Sequence, residues 1–230
     1  MNRAKFFASV RGSRVIGRTL SQHQVDGIEA LLDSCARNGV TDPHHIANIL
    51  AQASRETGRR MYPVRETFAD SDAQAIARLD RAFAKGQLTW VSSPYWRDGW
   101  FGRGFIQITH RDNYRKLGTR LGVNLIGNPQ RALDLATSAD IAVVGMSEGM
   151  FTGRKLSDYD FPAALTLLPS RNPRRIVNGN DGSDAEVAAS HAKFHAAIMT
   201  AAESAPGGMV RPTREKRGLL GILDRLFGAI

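Results

Sequence analysis

Between Ser21 and Thr57 the chain carries two apolar stripes at helical spacing, each with its own start signal. Val25, Ile28, Leu31, Leu32 and Cys35 recur every three or four residues, which puts them on one helix face. Ser21 followed by Gln24 is a capping-box pair, and Gly39 closes the element. Asp42 and Pro43 then supply a cap and a first-turn proline for a second helix. That helix carries Ile46, Ile49, Leu50 and Ala53 and runs to about Thr57. The lone cysteine, Cys35, falls on the first stripe and reads as a buried, inert thiol rather than part of a disulfide framework.

The same period predicts further helices over 71–84, 111–121, 137–150, 157–168 and 184–202. Gly, Pro and Asn signals at 127–129, 168–173 and 178–182 separate them. Only 100–109 reads as a short strand. There the alternation of FIQIT sets Phe105, Gln107 and Thr109 on one face and Ile106 and Ile108 on the other. No internal repeat is visible. The expected architecture is mainly α, with at most a small β-hairpin.

Past residue 203 the character changes, so the expected organisation is one main domain over 1–203, an Ala-, Gly- and Pro-rich linker over 204–213 and a tail over 214–230. The tail is a short amphipathic helix with a basic start at Arg214, Lys216 and Arg217, and with Leu219, Leu223 and Phe227 on its apolar face. That pattern fits anionic lipid, or a face docked on the domain. No run reaches the eighteen apolar residues of a membrane span, and the apolar pieces of MNRAKFFASVRGSR are too short for a secretory signal. Synthesis in the cytoplasm is expected, with access to any outer substrate through a permeabilised membrane.

A formal net charge of +9 implies attraction to a polyanion: nucleic acid, anionic lipid or an anionic wall. No nucleic-acid reading module appears and the basic residues are spread along the chain, so nucleic acid is not expected. A monomer is expected.

Two carboxylates stand out. Glu56 lies three residues after Ala53 and seven after Ile49, so it emerges at the end of an apolar stripe, where partial desolvation suits a general acid. Glu66 follows Pro63, which ends any continuing helix, so it is expected on a loop facing the first. Two carboxylates held apart with room for a water are what inverting glycoside hydrolysis needs. Arg55, Arg59, Arg60 and Arg65 flank both, however, and surface ion pairs explain the same glutamates without any chemistry.

GRGFIQITHRDNY, residues 102–114, crowds glycine, arginine and amide groups around a short apolar run. Gly102 and Gly104 permit a tight turn or close approach, and Arg103 between them can hold a carboxylate or stay solvated. Gln107 and Thr109 offer donors and acceptors to a sugar amide or a water, and Asn113 and Tyr114 follow on the next helix. A structural turn before a capped helix accounts for the segment equally well. The spacing is not that of a dinucleotide loop. Trp90, Tyr95, Trp96 and Trp100 precede it as candidate sugar-stacking rings, Trp100 foremost because it abuts the motif. His191 and His195 are four apart but have no thiolate nearby, so no metal is expected, and no cofactor.

HHIANILAQASRETG, RET, the GRGFIQITHRDNY run and RRIVNGNDG together resemble the family 19 chitinase-like glycoside hydrolases over roughly residues 20–200, most closely the phage endolysin branch. The resemblance implies a lysozyme-like fold and hydrolysis of β-1,4 links in peptidoglycan glycan strands. It implies Glu56 as general acid and Glu66 as general base, with Thr67 beside it. Gln107 and Thr109 match positions that contact substrate and orient the water, Asn113 matches a substrate-binding asparagine, and Asn178 matches one that contacts an N-acetyl sugar. Only nine residues separate the two glutamates, as in the phage branch; plant-type enzymes carry a longer insert. Thr109 stands where those enzymes have serine, and the acid that follows Asn-Gly falls on Asp181 or Asp184. Asp70 and Asp72 compete with Glu66 for the part of base. Chitin cleavage, lytic transglycosylation, and a wall- or lipid-binding protein without chemistry are the alternatives.

Overall fold

The computed structural model describes residues 1–203. The expected linker and tail, with Arg214, Lys216, Arg217, Leu219, Leu223 and Phe227, lie outside the described residues. In chain order the helices are α1 (Arg3–Ser13), α2 (Gln22–Arg37), α3 (Pro43–Glu56), α4 (Asp72–Ala84), α5 (Arg111–Leu121), α6 (Leu135–Glu148) and α7 (Asp184–Ala202). Among the described residues the sheet is one antiparallel pair, β1 (Val64–Arg65) and β2 (Arg103–Gly104), with Val64 opposite Gly104 and Arg65 opposite Arg103. The fold is mainly α, with no helix among the described residues long and apolar enough to cross a membrane.

α3 is the centre, and every residue from Ala47 to Ser54 is buried. It packs most extensively against α7 and also meets α2 and α6. Ile28 and Leu31 of α2, Ile49 and Leu50 of α3, Val143 and Met146 of α6, and Phe194 and Ile198 of α7 form the main core. Each side chain of this kind stabilises the fold by roughly 1.5–3 kcal/mol when fully buried. Cys35 is part of this core, and burial pushes its thiol up to about 12, so it is inert at neutral pH. A second cluster joins Ile108, Tyr114 and Leu117 to Ile141 and Val144 of α6, and a third joins Ala75 and Leu79 of α4 to Trp96 and Phe101.

The local start signals form as expected. Ser21 and Gln24 make both bonds of the capping box, and Asp42 accepts from the backbone N–H of His44 and His45 ahead of Pro43. Gln24 does more, since its amide nitrogen donates to the Arg59 carbonyl at 3.0 Å. That bond ties the start of α2 to the turn after α3. Gly27 allows the same turn to press on α2: a Cβ there would sit 1.7 Å from the Met61 carbonyl oxygen. The chain leaving Glu56 is thereby folded back toward β1 and Glu66.

Two expectations fail, and one helix has no counterpart among them. Arg3–Ser13 is helical although its apolar content is thin, because Phe6, Phe7 and Val10 are buried in the main core, Asn2 caps the start, and α7 lies alongside. Residues 157–168 do not form the expected helix. Short 3-10 turns at Leu156–Asp158 and Ala163–Thr166 stand there instead, because Pro162 lacks the N–H a helix interior needs and Leu167 and Leu168 find no cover. FIQIT is not a strand. The ladder ends at Gly104, whose φ of 102° leaves extended geometry, and the Ile108 N–H closes back on the Arg103 carbonyl at 3.2 Å. Phe105, Ile106 and Ile108 are all buried in that turn, and Gln107 and Thr109 are half-buried.

Candidate active site

A cavity of about 370 Å³ opens where the end of α3, the 106–109 turn, the start of α5 and the segment before α7 meet. Its polar lining comes from Glu56, Tyr95, Gln107, Thr109, Asn113 and Asn178, and its apolar lining from Ile106, Ile108, Phe151 and Val177.

Glu56 is the last residue of α3, and its side chain is 13% exposed. Its Oε1 accepts from Arg174 Nη2 at 2.6 Å, and Oε2 has no partner among the described residues. Arg174 is buried, and its other donors go to Gln52 Oε1 at 2.7 Å and to both oxygens of Asp181. Gln52 lies one helical turn before Glu56, so a single guanidinium grips two side chains of one helix face and a carboxylate from the 178–183 loop. Burial works against the charge on Arg174, but its bonds to Asp181 and Glu56 outweigh that and raise its pKa. Burial also opposes ionisation of Asp181, yet bonds from Arg174 and Ser183 hold its carboxyl well below the usual range. The arginine and Asp181 are therefore a fixed charge pair at neutral pH.

Glu66 starts a 3-10 turn directly after β1. Its backbone N–H donates to the Gly102 carbonyl at 2.7 Å, and the Gly102 N–H returns a 2.6 Å bond to Oε2. Its Oε1 accepts from the Tyr95 hydroxyl at 2.9 Å. Burial and the Glu66 charge both raise the Tyr95 phenol, which keeps it a donor. Glu66 is thus one hydrogen bond behind a residue of the cavity wall. Gly102 has no room for a side chain: a Cβ would meet Gln107 Oε1 at 2.8 Å.

The amide nitrogen of Gln107 donates to the Val64 and Gly104 carbonyls, both at 3.0 Å, so its oxygen is what it offers the cavity. Asn113 donates to the Thr109 carbonyl at 2.9 Å, while the Thr109 hydroxyl makes no hydrogen bond with the described residues. Asn178 sits exposed at the rim, bonded to Asp181 and the Gly179 N–H.

Other expected contacts lie elsewhere. Arg103 is buried, stacked 3.8 Å from the Phe101 ring and bonded to Asp72, the Gly99 carbonyl and the Tyr114 hydroxyl. Tyr114 is also fully buried and donates to the Phe101 carbonyl. Neither is placed to bind substrate: the two form the polar interior of the turn that presents Gly102. Trp100 packs edge-on against Tyr114, outside the cavity wall. Thr67 is exposed with a left-handed φ of 59° and does not line the cavity. Asp72 is taken up by Arg65, Arg103 and Gln130, which leaves it no part as a base. Among the ring candidates Tyr95 reaches the cavity, Trp96 is buried and Trp90 is exposed. Arg174 and Tyr95 are the groups that sequence reasoning missed in these roles. Arg174 is one of several arginines in PSRNPRRIVNG, and nothing local marks it. The signal for Tyr95 was only its nearness to the glycine-rich run.

The sequence model of glycoside hydrolase family 19, chitinase class I, matches residues 32–148, half of the chain. The chain belongs to glycoside hydrolase family 19. Acidic endochitinase Q of Nicotiana tabacum is 47% identical over 45 residues, which are 20% of this chain and 17% of that protein. The chain therefore matches a little under a fifth of that curated relative's length. The crystal structure of chitinase C from Streptomyces griseus HUT6037 shares the fold, with a TM-score of 0.52 at 19% identity over 84% of this chain and 75% of the other. The family-19 match takes in Glu56, Glu66, Tyr95, Gln107, Thr109 and Asn113. It stops before Arg174, Asn178 and Asp181, so the arginine that grips Glu56 comes from beyond the matched part of the family-19 domain.

Proposed function

We propose that this family-19 protein hydrolyses β-1,4 links between N-acetyl sugars in the glycan strands of peptidoglycan, with inversion and in the manner of a phage endolysin. The observation that carries the reading is one carboxylate in a cavity wall and a second held behind the same wall by Tyr95. Glu56 donates its proton to the leaving oxygen through the Oε2 side, while Arg174 fixes the carboxyl from Oε1. Glu66, oriented by the Tyr95 hydroxyl and the Gly102 N–H, takes the proton of a water that attacks from the opposite ring face. Thr109 and Gln107 hold that water or the sugar acetamide, and Asn113 and Asn178 contact the sugar. The net charge of +9 supports an anionic wall polymer over uncharged chitin. The names of the chitinase relatives favour chitin, which is the second reading.

Mass spectrometry of a peptidoglycan digest tests this. Reducing muramic acid ends are expected; peptide-only fragments would sink the proposal, and anhydro ends would make the protein a lytic transglycosylase. Glu56→Gln is expected to lower turnover about a hundredfold or more with the fold intact, and Glu66→Gln to be severe. NMR of the first-formed anomer should show inversion.

A further inference from the structure

A second, larger cavity of about 510 Å³ lies beside the loop after α6 and has no part in the chemistry above. Arg154, Tyr159, Asp160, Ser170 and Arg171 are among its lining residues. Arg154 and Arg171 are exposed, and neither guanidinium makes an ion pair or hydrogen bond with the described residues. That contrasts with Arg103 and Arg174, whose guanidinium groups are taken up by internal carboxylates. The hydroxyls of Tyr159 and Ser170 likewise make no hydrogen bond with the described residues. The cavity thus gathers two arginines that no carboxylate among the described residues pairs with and two hydroxyl donors, a set that can take a carboxylate. Asp158 and Asp160 add two acids to the same lining, which can meet an amine.

Its position relative to the first cavity is set by two shared segments. Phe151 lines the Glu56 cavity and Arg154, three residues on, lines this one; the chain spans at most roughly 10–11 Å over that step. On the other segment Arg171 lines this cavity and Val177 and Asn178 line the first. The Thr152 hydroxyl donates to the carbonyls of Arg175 and Ile176, pinning the two segments together between the cavities. A charged branch of a few residues is long enough to cover such a step.

Uncharged chitin has no such branch, whereas peptidoglycan carries a short peptide with free carboxylates on alternate sugars. We infer that the Arg154–Arg171 cavity binds the carboxylate-bearing peptide branch of a glycan strand held in the Glu56 cavity, and that these two arginines determine substrate class. The inference rests on the glycan-hydrolase reading above.

The test compares rates on intact peptidoglycan, on strands stripped of peptide by an amidase, and on chitin oligomers. A parallel NMR titration uses the free tripeptide L-Ala-D-Glu-diaminopimelate. The wild type is expected to cut intact strands at least tenfold faster than stripped ones. The double variant Arg154→Ala/Arg171→Ala is expected to lose that preference and the peptide binding, with its rate on stripped strands unchanged. The double lysine variant, which keeps the charge, should restore part of both. Equal wild-type rates on intact and stripped strands, or a variant slowed equally on both, would overturn the inference, as would absence of peptide binding. A protein that binds the tripeptide through these arginines but cuts no glycan would instead refute the hydrolase reading and leave the peptide site standing.

Discussion

His191 offers a direct test of how the helix bearing Glu56 is held. Its ring is buried in the α3–α7 interface, with His44 Nδ1 3.1 Å from its Nε2, and the rings of Phe161 and His44 stacked at centroid distances of 5.2 and 5.4 Å. His195 stacks on His44 at 3.8 Å. Burial first, and then the neighbouring His44 and His195, push the His191 pKa down from 6.5 to about 3. The other ionisable group acting on it is Asp42, which favours its charge and is outweighed. Because the folded ring stays neutral while the unfolded ring takes a proton below pH 6.5, the unfolded state binds more protons. Stability is therefore fully present above pH 6.5 and lost as the pH falls toward 3, at about 1.4 kcal/mol per unit. Between pH 7.5 and pH 5 the loss from this one group is about 2 kcal/mol. His195, whose pKa is lowered by burial and by His44, acts in the same direction. Urea unfolding at the two pH values measures the loss. His191→Phe, which keeps a flat ring against Phe161, should show a pH dependence smaller by about 2 kcal/mol, and the comparison cancels groups common to both proteins. Identical pH dependence in variant and wild type would refute the reasoning.

Arg174→Gln should be costly in both stability and turnover. Removing one partner of a buried ion pair costs about 3–5 kcal/mol, here leaving Asp181 and Gln52 without their donor, and thermal unfolding with a rate assay reads both effects. Tyr95→Phe deletes the bond to Glu66 and little packing, so kcat should fall roughly tenfold while stability changes by about 1 kcal/mol; an unchanged kcat would remove Tyr95 from the machinery. A chain ending near residue 205 should keep activity on purified peptidoglycan but lose co-sedimentation with anionic vesicles, in keeping with the basic amphipathic sequence of 214–230. Equal sedimentation of both chains would mean the tail has no lipid role.

What the sequence determined by itself is what acts over a few residues. The capping box of Ser21 and Gln24, the Asp42–Pro43 start and the apolar period of α2 and α3 need only neighbours within a turn or two, and all formed as read. So did the placement of Glu56 at the end of a buried stripe, since helical period alone sets which face it follows. The tertiary structure decided everything that depends on a distant partner. α1 is a helix where α7 covers its two phenylalanines, and the equally periodic 157–168 is not one, because Pro162 interrupts it and its leucines find no cover. Arg103 and Arg174 look alike in sequence, as basic residues beside glycine- or asparagine-rich turns. One became a core brace on Asp72 and the other the grip on Glu56, whose carboxylate is 118 residues away along the chain. A hydrogen bond needs its atoms within about 3 Å, and local propensity carries no information about which of many arginines the fold will bring to that distance.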